Sequence, residues 1–334
     1  MSPRPPTQPV LRRRADRPGA DDWPALLATA RELENPCNCC CRHCGARRHE
    51  GERGYCGATS SARVTKAFVT YGEEAFLNPA SMLYFAHCDL RCAYCSNADA
   101  IRDDFTGGAP ADPTVLAAAI DDAFRAGKIT SLQILGGEPT CSLSSALAVI
   151  AGLRTAVPVV WNSNFCFTPA ALALLDRVVD FYVADLKFGN DRCARDLCDL
   201  DHYWPTVTAN LRRVDPARLL VRHLPLGGHG DCCCKPVIDF LRRELPRVPV
   251  SFHQLIPDAA GRTRCLRDDE WHRLDQLVAQ AGLKRLYADF CLRDDESAAH
   301  AFVSEIVIRK DGSVMVQDLS APLRNLLRTL HDTN

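Results

Sequence analysis

The chain has little excess charge of either sign: 40 Lys and Arg stand against 41 Asp and Glu in 334 residues, a formal net charge of −1. That balance speaks against the strongly basic surface of a protein that grips nucleic acid, local patches aside. The sequence also lacks an apolar run long enough to cross a bilayer, and it opens on Pro and Arg rather than on a secretory signal segment. Residues 1–22, with Arg12, Arg13 and Arg14 in a row, read as a disordered leader, a solvated tail with a nucleic-acid or partner contact as the minor alternative. Cysteine is not lacking, with 18 in the chain. In a small secreted protein they would mean disulfides; in a long chain without a signal, the expectation is a cytoplasmic protein with reduced thiols.

Hydrophobic residues make up 47% of the sequence, enough for a sizeable core, and α/β barrels of this length commonly form a single unit. Past residue 110 the pattern alternates. It predicts helices near 113–126, 142–155, 168–177, 234–245 and 268–281, between strands near 129–135, 157–161, 179–186, 218–224 and 248–255. Repeated β–α units favour a parallel sheet. Residues 302–318 read as a terminal hairpin turning at Asp311-Gly312.

Three cysteines are spaced C-x3-C-x2-C, Cys88, Cys92 and Cys95, directly after the apolar, strand-like run Ser81–His87. That places them on a loop at a strand's C-terminal end, the active edge of α/β sheets and barrels. Three thiolates on one short loop can hold three irons of a cubane and leave the fourth open to a small ligand. Zinc is the competitor, but its structural sites generally take four ligands, often as two short-spaced pairs. A second strand, Ile129–Leu135, runs into Gly136-Gly137-Glu138-Pro139-Thr140. Glycines let a backbone approach a ligand, and the carboxylate could accept from an ammonium group; as a helix-start residue it could equally face the helix dipole.

With the three-cysteine loop and Gly136-Gly137-Glu138 in this order, the chain resembles the radical S-adenosylmethionine (SAM) enzymes. Trp161–Asn164, Ala184–Asp191 and Val221–Gly228 make it similar to the group related to pyruvate formate-lyase activating enzyme, over most of residues 35–320. The resemblance implies an α/β fold, a partial (β/α)6 barrel of about six strands, with a small N-terminal Cys-rich metal-binding segment and a C-terminal hairpin. The division would be a leader and lead-in helix at 1–34, the Cys-rich segment at 35–60, the barrel at 61–290 and an extension at 291–334. It implies a [4Fe-4S] cluster on Cys88, Cys92 and Cys95, with SAM bound through its amino and carboxylate groups at the open iron. Tyr94 would flank the adenine, and Gly136, Gly137 and Glu138 would hold the methionine amino group. Asp185 and Lys187 would face the methionine or sulfonium end, unless they form a simple strand-end ion pair. Asn164, Arg222 and His253 occupy comparable strand ends, although Asn164 could be a turn residue and His253 structural. No catalytic residue beyond the cofactor site is required. An electron donor such as flavodoxin or ferredoxin would reduce the cluster. The target would be a glycyl-radical enzyme to be activated, or alternatively a peptide, cofactor precursor or nucleic acid to be modified. A non-enzymatic iron–sulfur or zinc module is the remaining reading.

A second cysteine group precedes the barrel: Cys37, Cys40, Cys44 and Cys56, in a glycine-rich stretch too short for a core of its own. It reads as a metal-stapled knot, holding zinc or a second iron–sulfur cluster, with Cys39, Cys41, His43 and His49 as substitutes. Cys193, Cys198 and the triplet Cys232-Cys233-Cys234 are further thiols, either small buried residues or an additional site near the barrel mouth.

Overall fold

The computed structural model describes residues 11–70, 74–102, 104–253, 263–283, 285–286, 302–308 and 314–318. A first helix, α1 (Trp23–Leu33), precedes β1 (Arg63–Thr70), β2 (Ala80–Phe85) and the two-residue β3 (Ala109–Pro110). Alternation then sets in with α2 (Pro113–Arg125), β4 (Ser131–Gly136), α3 (Leu143–Gly152), β5 (Val159–Ser163), α4 (Pro169–Val178) and β6 (Phe181–Asp185). It continues through α5 (Asp191–Cys198), α6 (Tyr203–Leu211), β7 (Leu219–His223), α7 (Lys235–Glu244), β8 (Val250–Phe252), α8 (Asp268–Ala281) and β9 (Arg285–Leu286). Strands β10 (Phe302–Ile308) and β11 (Val314–Asp318) close the chain.

Local chemistry explains the helix starts. Asp112 accepts from the backbone N–H of Thr114 and Val115 ahead of α2, and Thr168 accepts from that of Ala171 ahead of α4, each followed by a proline whose missing N–H is not needed there. The strands β5, β7 and β8 are buried at every position, as parallel strands covered by helices must be.

One sheet runs β11-β10-β1-β2-β4-β5-β6-β7-β8-β9, with β3 on β1. Strands β2 and β4 to β9 pair in parallel, so the sheet is an open α/β barrel whose strands all end on one side. The short β9 adds a strand to the expected six. The C-terminal hairpin pairs antiparallel, Ser304 opposite Asp318, and joins the sheet through β1; its predicted turn at Asp311-Gly312 lies outside the described residues.

The leader departs from its composition. Arg14 donates its backbone N–H to Asp180 Oδ1 at 2.7 Å, and the Arg17 guanidinium lies 3.3 Å from Asp180 Oδ2, with both side chains of the Arg17–Asp180 pair almost wholly buried. Asp180 also accepts from the Val159 N–H, so a carboxylate fixed at the foot of the sheet draws in a cation that the sequence pattern assigned to solvent. Residues 1–10 of the predicted leader lie outside the described residues.

Candidate radical SAM site

The three-cysteine loop leaves β2 at the C-terminal edge of the sheet, as its spacing predicts. It is held from two sides. The N–H groups of Arg91 and Ala93 donate to the carbonyls of Cys198 and Leu197 at the end of α5, at 3.0 and 2.7 Å. Asn164, just past β5, donates from Nδ2 to Asp89 Oδ1 at 2.6 Å. Cys88 is buried, Cys92 and Cys95 half-buried. Burial first, then the charges of Asp89 and Cys92, hold the Cys88 thiol well above its ordinary range. Cys92 is lowered, chiefly by a hydrogen bond from the Cys198 thiol and in part by the Lys187 charge.

The glycines of Gly136-Gly137 have a structural cause. A side chain on Gly136 would sit 2.0 Å from the Phe85 carbonyl oxygen, and one on Gly137 would sit 2.0 Å from that of His87. With neither present, Gly137 N–H donates to Phe85 O and Glu138 N–H to His87 O, clamping the end of β4 onto the start of the cluster loop. Gly136 also has a φ of +146°, which suits glycine alone.

Glu138 is buried, and its carboxylate is crowded with donors: Thr140 N–H at 3.0 Å, Thr140 Oγ1 at 2.6 Å, Ser163 Oγ at 2.9 Å and Asn164 N–H at 2.9 Å. The bond from Thr140 N–H caps the short turn Pro139–Ser142, the helix-start role that was the alternative reading. Burial, followed by the nearby Asp89, pushes this carboxyl up to about 7. Asn164 is likewise committed, with its Oδ1 accepting from Cys166 N–H at 2.9 Å while its Nδ2 holds Asp89.

Asp185 and Lys187 do pair, Nζ to Oδ2 at 2.6 Å, and both are largely buried. Arg222 and His253 converge on a residue that sequence reasoning missed. Arg222 Nη2 donates to Glu74 Oε2 at 2.7 Å and His253 Nε2 lies 3.0 Å from Glu74 Oε1. Glu74 is fully buried and held well below the usual carboxylate range by these two partners, against the opposing effect of burial. Nothing local marks it, because Arg222 is 148 residues away. Asp89 and Ser163 were also missed, though both stand inside quoted motifs.

Around this edge, several buried polar atoms have no hydrogen-bond partner among the described residues: Tyr94 Oη, His87 Nδ1, Asp89 Oδ2, Asp185 Oδ1 and His223 Nε2. Buried polar groups are normally satisfied, so such a concentration fits a polar group bound between the strand ends and the cysteine loop. Tyr94 itself packs edge-on to Phe188, ring centroids 6.2 Å apart.

The N-terminal cysteines do not share one point. Cys37 neighbours Cys39 and Cys44 and is pulled down to about 5, mainly by the Cys39 hydrogen bond; Cys56 pairs with Cys141 and falls to about 7. Cys40 is buried, and burial, followed by the charge of Asp89, holds its thiol well above its ordinary range. Among the described residues, only two groups of three or more ligand atoms lie within 4.8 Å of one another, Cys193 with His229, Cys232 and Cys233, and Cys41 with Asp89 and Cys166. Cys37, Cys40, Cys44 and Cys56 do not form such a single-ion group, a distance that does not bear on the reading of them as ligands of a second iron–sulfur cluster, whose cysteines bind different irons; the buried Arg48 donates to Cys141 O at 2.6 Å and reaches Cys56 Sγ at 3.5 Å. His43 bonds Asn38 instead, and His49 faces Glu34.

Residues 79–185 match the family described as a 4Fe-4S single cluster domain, a span that carries the cysteine loop, Gly136-Gly137-Glu138 and Asp185. The match covers less than half of the chain. Over 227 residues it is 32% identical to an uncharacterized protein of Methanocaldococcus jannaschii, covering 66% of each chain, so it spans just under two thirds of that relative's length. Among solved structures it is similar to Streptococcus suis SuiB bound to the precursor peptide SuiA, at 15% identity and a TM-score of 0.46 over 60% of this chain and 46% of that one. A radical SAM methyltransferase from Sphaerobacter thermophilus is similar at 16% identity and a TM-score of 0.46, over 66% and 69%. A domain of pyruvate-formate lyase-activating enzyme from Bacteroides vulgatus gives 19% identity and 0.38, over 47% and 98%.

Proposed function

We propose that Cys88, Cys92 and Cys95 ligate three irons of the cluster and that SAM binds at the fourth, between the cysteine loop and the ends of β4 to β7. The observation that carries this reading is the set of unpartnered buried atoms on Tyr94, Asp89, Asp185 and His223 around one thiol-rich loop. A cluster and SAM held there, as in the radical SAM enzymes that the chain resembles, would supply one-electron chemistry that takes hydrogen from a substrate. The chain's own residues orient and desolvate. Tyr94 offers a ring face and a free hydroxyl to the adenosine. Asp185 keeps Oδ1 available while Lys187 neutralises it and places positive charge beside Cys92. Arg222 and His253, locked by Glu74, form the far wall. Glu138 and Asn164, saturated by their neighbours, act as positioning residues that fix β4, β5 and the cluster loop relative to one another; the cofactor's amino group would then be received chiefly by backbone at Gly136 and Gly137.

The target we favour is a backbone glycine of a partner enzyme, which a reduced flavodoxin or ferredoxin-type donor would allow this chain to convert to a glycyl radical. The supporting features are the stretches Trp161–Asn164, Ala184–Asp191 and Val221–Gly228. Among the described residues no helix is long and apolar enough to cross a membrane, and we place the chain, with its many thiols, in a reducing cytoplasm.

The test is anaerobic reconstitution, reduction and product analysis. Wild-type protein should yield 5′-deoxyadenosine from SAM, and replacing Cys88, Cys92 and Cys95 by Ala should abolish it while leaving the circular dichroism spectrum nearly unchanged. Full cleavage by that variant would overturn the ligand assignment. A glycine-centred electron paramagnetic resonance signal on adding a glycyl-radical enzyme from the same cell supports the activase reading. Deoxyadenosine without that signal, across every such enzyme of the cell, moves the target to a peptide, a cofactor precursor or a nucleic acid.

A further inference from the structure

Two strand-end loops meet outside the cofactor site. The loop after β6 supplies Asn190 and, in the first turn of α5, Cys193; the segment after β7 supplies His229 and the single π-helical turn Gly230–Cys234, which carries Cys232 and Cys233. Their ligand atoms all lie within 4.8 Å of one another. His229 Nδ1 lies 3.6 Å from Cys193 Sγ and 3.5 Å from Cys232 Sγ, and the two sulfurs are 3.7 Å apart.

These edges can be compared with a tetrahedron. Zinc–sulfur bonds of about 2.3 Å and a zinc–nitrogen bond of about 2.05 Å, at tetrahedral angles, require sulfur–sulfur edges of about 3.8 Å and sulfur–nitrogen edges of about 3.5 Å. All three distances match. A four-iron cluster is excluded by the same numbers, because its cysteines bind different irons and stand much farther apart. We infer that Cys193, His229, Cys232 and Cys233 form a structural Cys3His zinc site that staples the β6–α5 loop to the segment after β7.

Other features agree. Asn190, the N-cap of α5, points Nδ2 at Cys193 Sγ from 3.3 Å and at Cys233 Sγ from 3.9 Å, and donates to the Cys232 carbonyl at 2.6 Å. Amide donors aimed at sulfur are the support a thiolate ligand needs when it carries negative charge. Thiolate and imidazole together suit zinc. The one carboxylate in the turn, Asp231, is drawn off by Arg273 at 2.7 Å and does not compete. Cys193 and Cys233 are buried whereas Cys232 is exposed, so the site is closed on the protein side and reachable from solvent. Plain packing of small apolar thiols would not orient a histidine nitrogen toward two sulfurs at once.

The consequence is mechanical. Gly189 lies against this joint, where a side chain would come within 2.5 Å of the Cys233 carbonyl oxygen. Rims that their glycines suggest are mobile would form one rigid wall, and α5, whose far end holds the cluster loop through Cys198 and Leu197, would be anchored at its start as well.

The test uses the full-length protein with Cys88, Cys92 and Cys95 replaced by Ala, so that cluster iron does not interfere. Metal analysis after anaerobic purification should show one zinc per chain fewer when Cys193→Ser and Cys232→Ser are added. Growth with Co2+ should give the parent the intense visible bands of a tetrahedral, thiolate-bound ion, absent from the double variant. Equal zinc and equal cobalt spectra in the two proteins would overturn the site, as would a Cys193–Cys232 disulfide in the parent. If the double variant does not fold, alkylation of the folded parent decides: Cys193 and Cys232 should react with iodoacetamide only after a chelator is added. Prompt labelling of the exposed Cys232 without chelator would count against the zinc.

Discussion

Asn164 Nδ2 donates to Asp89 Oδ1 at 2.6 Å, and that single bond ties the end of β5 to the residue after the first cluster cysteine. Asp89 is buried, its other oxygen has no partner among the described residues, and burial raises its carboxyl above the usual range. Replacing Asn164 by Ala leaves the carboxylate without its principal donor, which should cost about 1–3 kcal/mol of stability. It should also lower cluster occupancy after reconstitution. Denaturant melts of the apoprotein and iron analysis of the reconstituted protein measure the two effects; unchanged values in both would remove the positioning role of Asn164.

Cys198 is expected to tune the cluster rather than to ligate it. Its thiol is buried at the end of α5 and donates to Cys92, and that bond, together with burial, holds it well above its ordinary range. Hydrogen bonds to cluster sulfurs raise the potential. The Cys198→Ala variant should bind a full cluster whose potential is more negative, by an amount on the order of tens of millivolts. A redox titration followed by the cluster's electron paramagnetic resonance signal reads this, and loss of iron in the variant would show Cys198 to be a ligand instead.

Glu74 holds Arg222 and His253 inside the barrel mouth. Replacing it by Ala removes the buried carboxylate that Arg222 binds through two hydrogen bonds, and breaking a buried ion pair typically costs about 3–5 kcal/mol. The Glu74→Ala protein should therefore lose that much in urea unfolding. Glu74→Gln, which keeps one acceptor, should lose less, and an equal loss in both would mean that charge, not hydrogen bonding, is what the site uses.

His223 predicts a pH effect. Burial lowers its pKa to about 4 although Nδ1 lies 2.6 Å from the Leu186 carbonyl oxygen, to which it donates. A histidine near 6.5 in the unfolded chain and near 4 in the fold binds fewer protons when folded, so its contribution is present above about pH 6.5 and disappears as pH falls to about 4, roughly 3 kcal/mol in all. Glu138 runs the other way over part of that window, its raised carboxyl favouring the fold at low pH and losing that advantage as pH rises toward 7. The informative quantity is thus the stability of the wild type minus that of His223→Asn, measured on the apoprotein, which should shrink as pH falls from 6.5 to 4. A pH-independent difference would mean that His223 is not buried as a neutral ring.

By itself the sequence showed the three-cysteine loop and the order of the strands and helices. Thiol spacing is local, so Cys88, Cys92 and Cys95 could be read as a set, and burial on both faces makes the first three residues of β5 and of β7 an apolar run that is legible without a structure. Helices with caps such as Asp112 were legible for the same reason, whereas α5 and α6 were not, being short and bounded by a loop fixed through side chains. The tertiary structure decided what depends on distant residues. It turned Gly136-Gly137 into a clamp on β2, because the clashing carbonyls belong to Phe85 and His87. It filled Glu138 and Asn164 with protein partners, gave Arg222 and His253 a shared carboxylate at Glu74, and drew Arg17 out of an apparent tail onto Asp180. It also separated Cys37 and Cys56 while bringing Cys193 to His229 and Cys232, 36 and 39 residues away. Sequence spacing constrains ligands only within one loop; when a set is assembled from two strand ends, the sheet's register sets the distances.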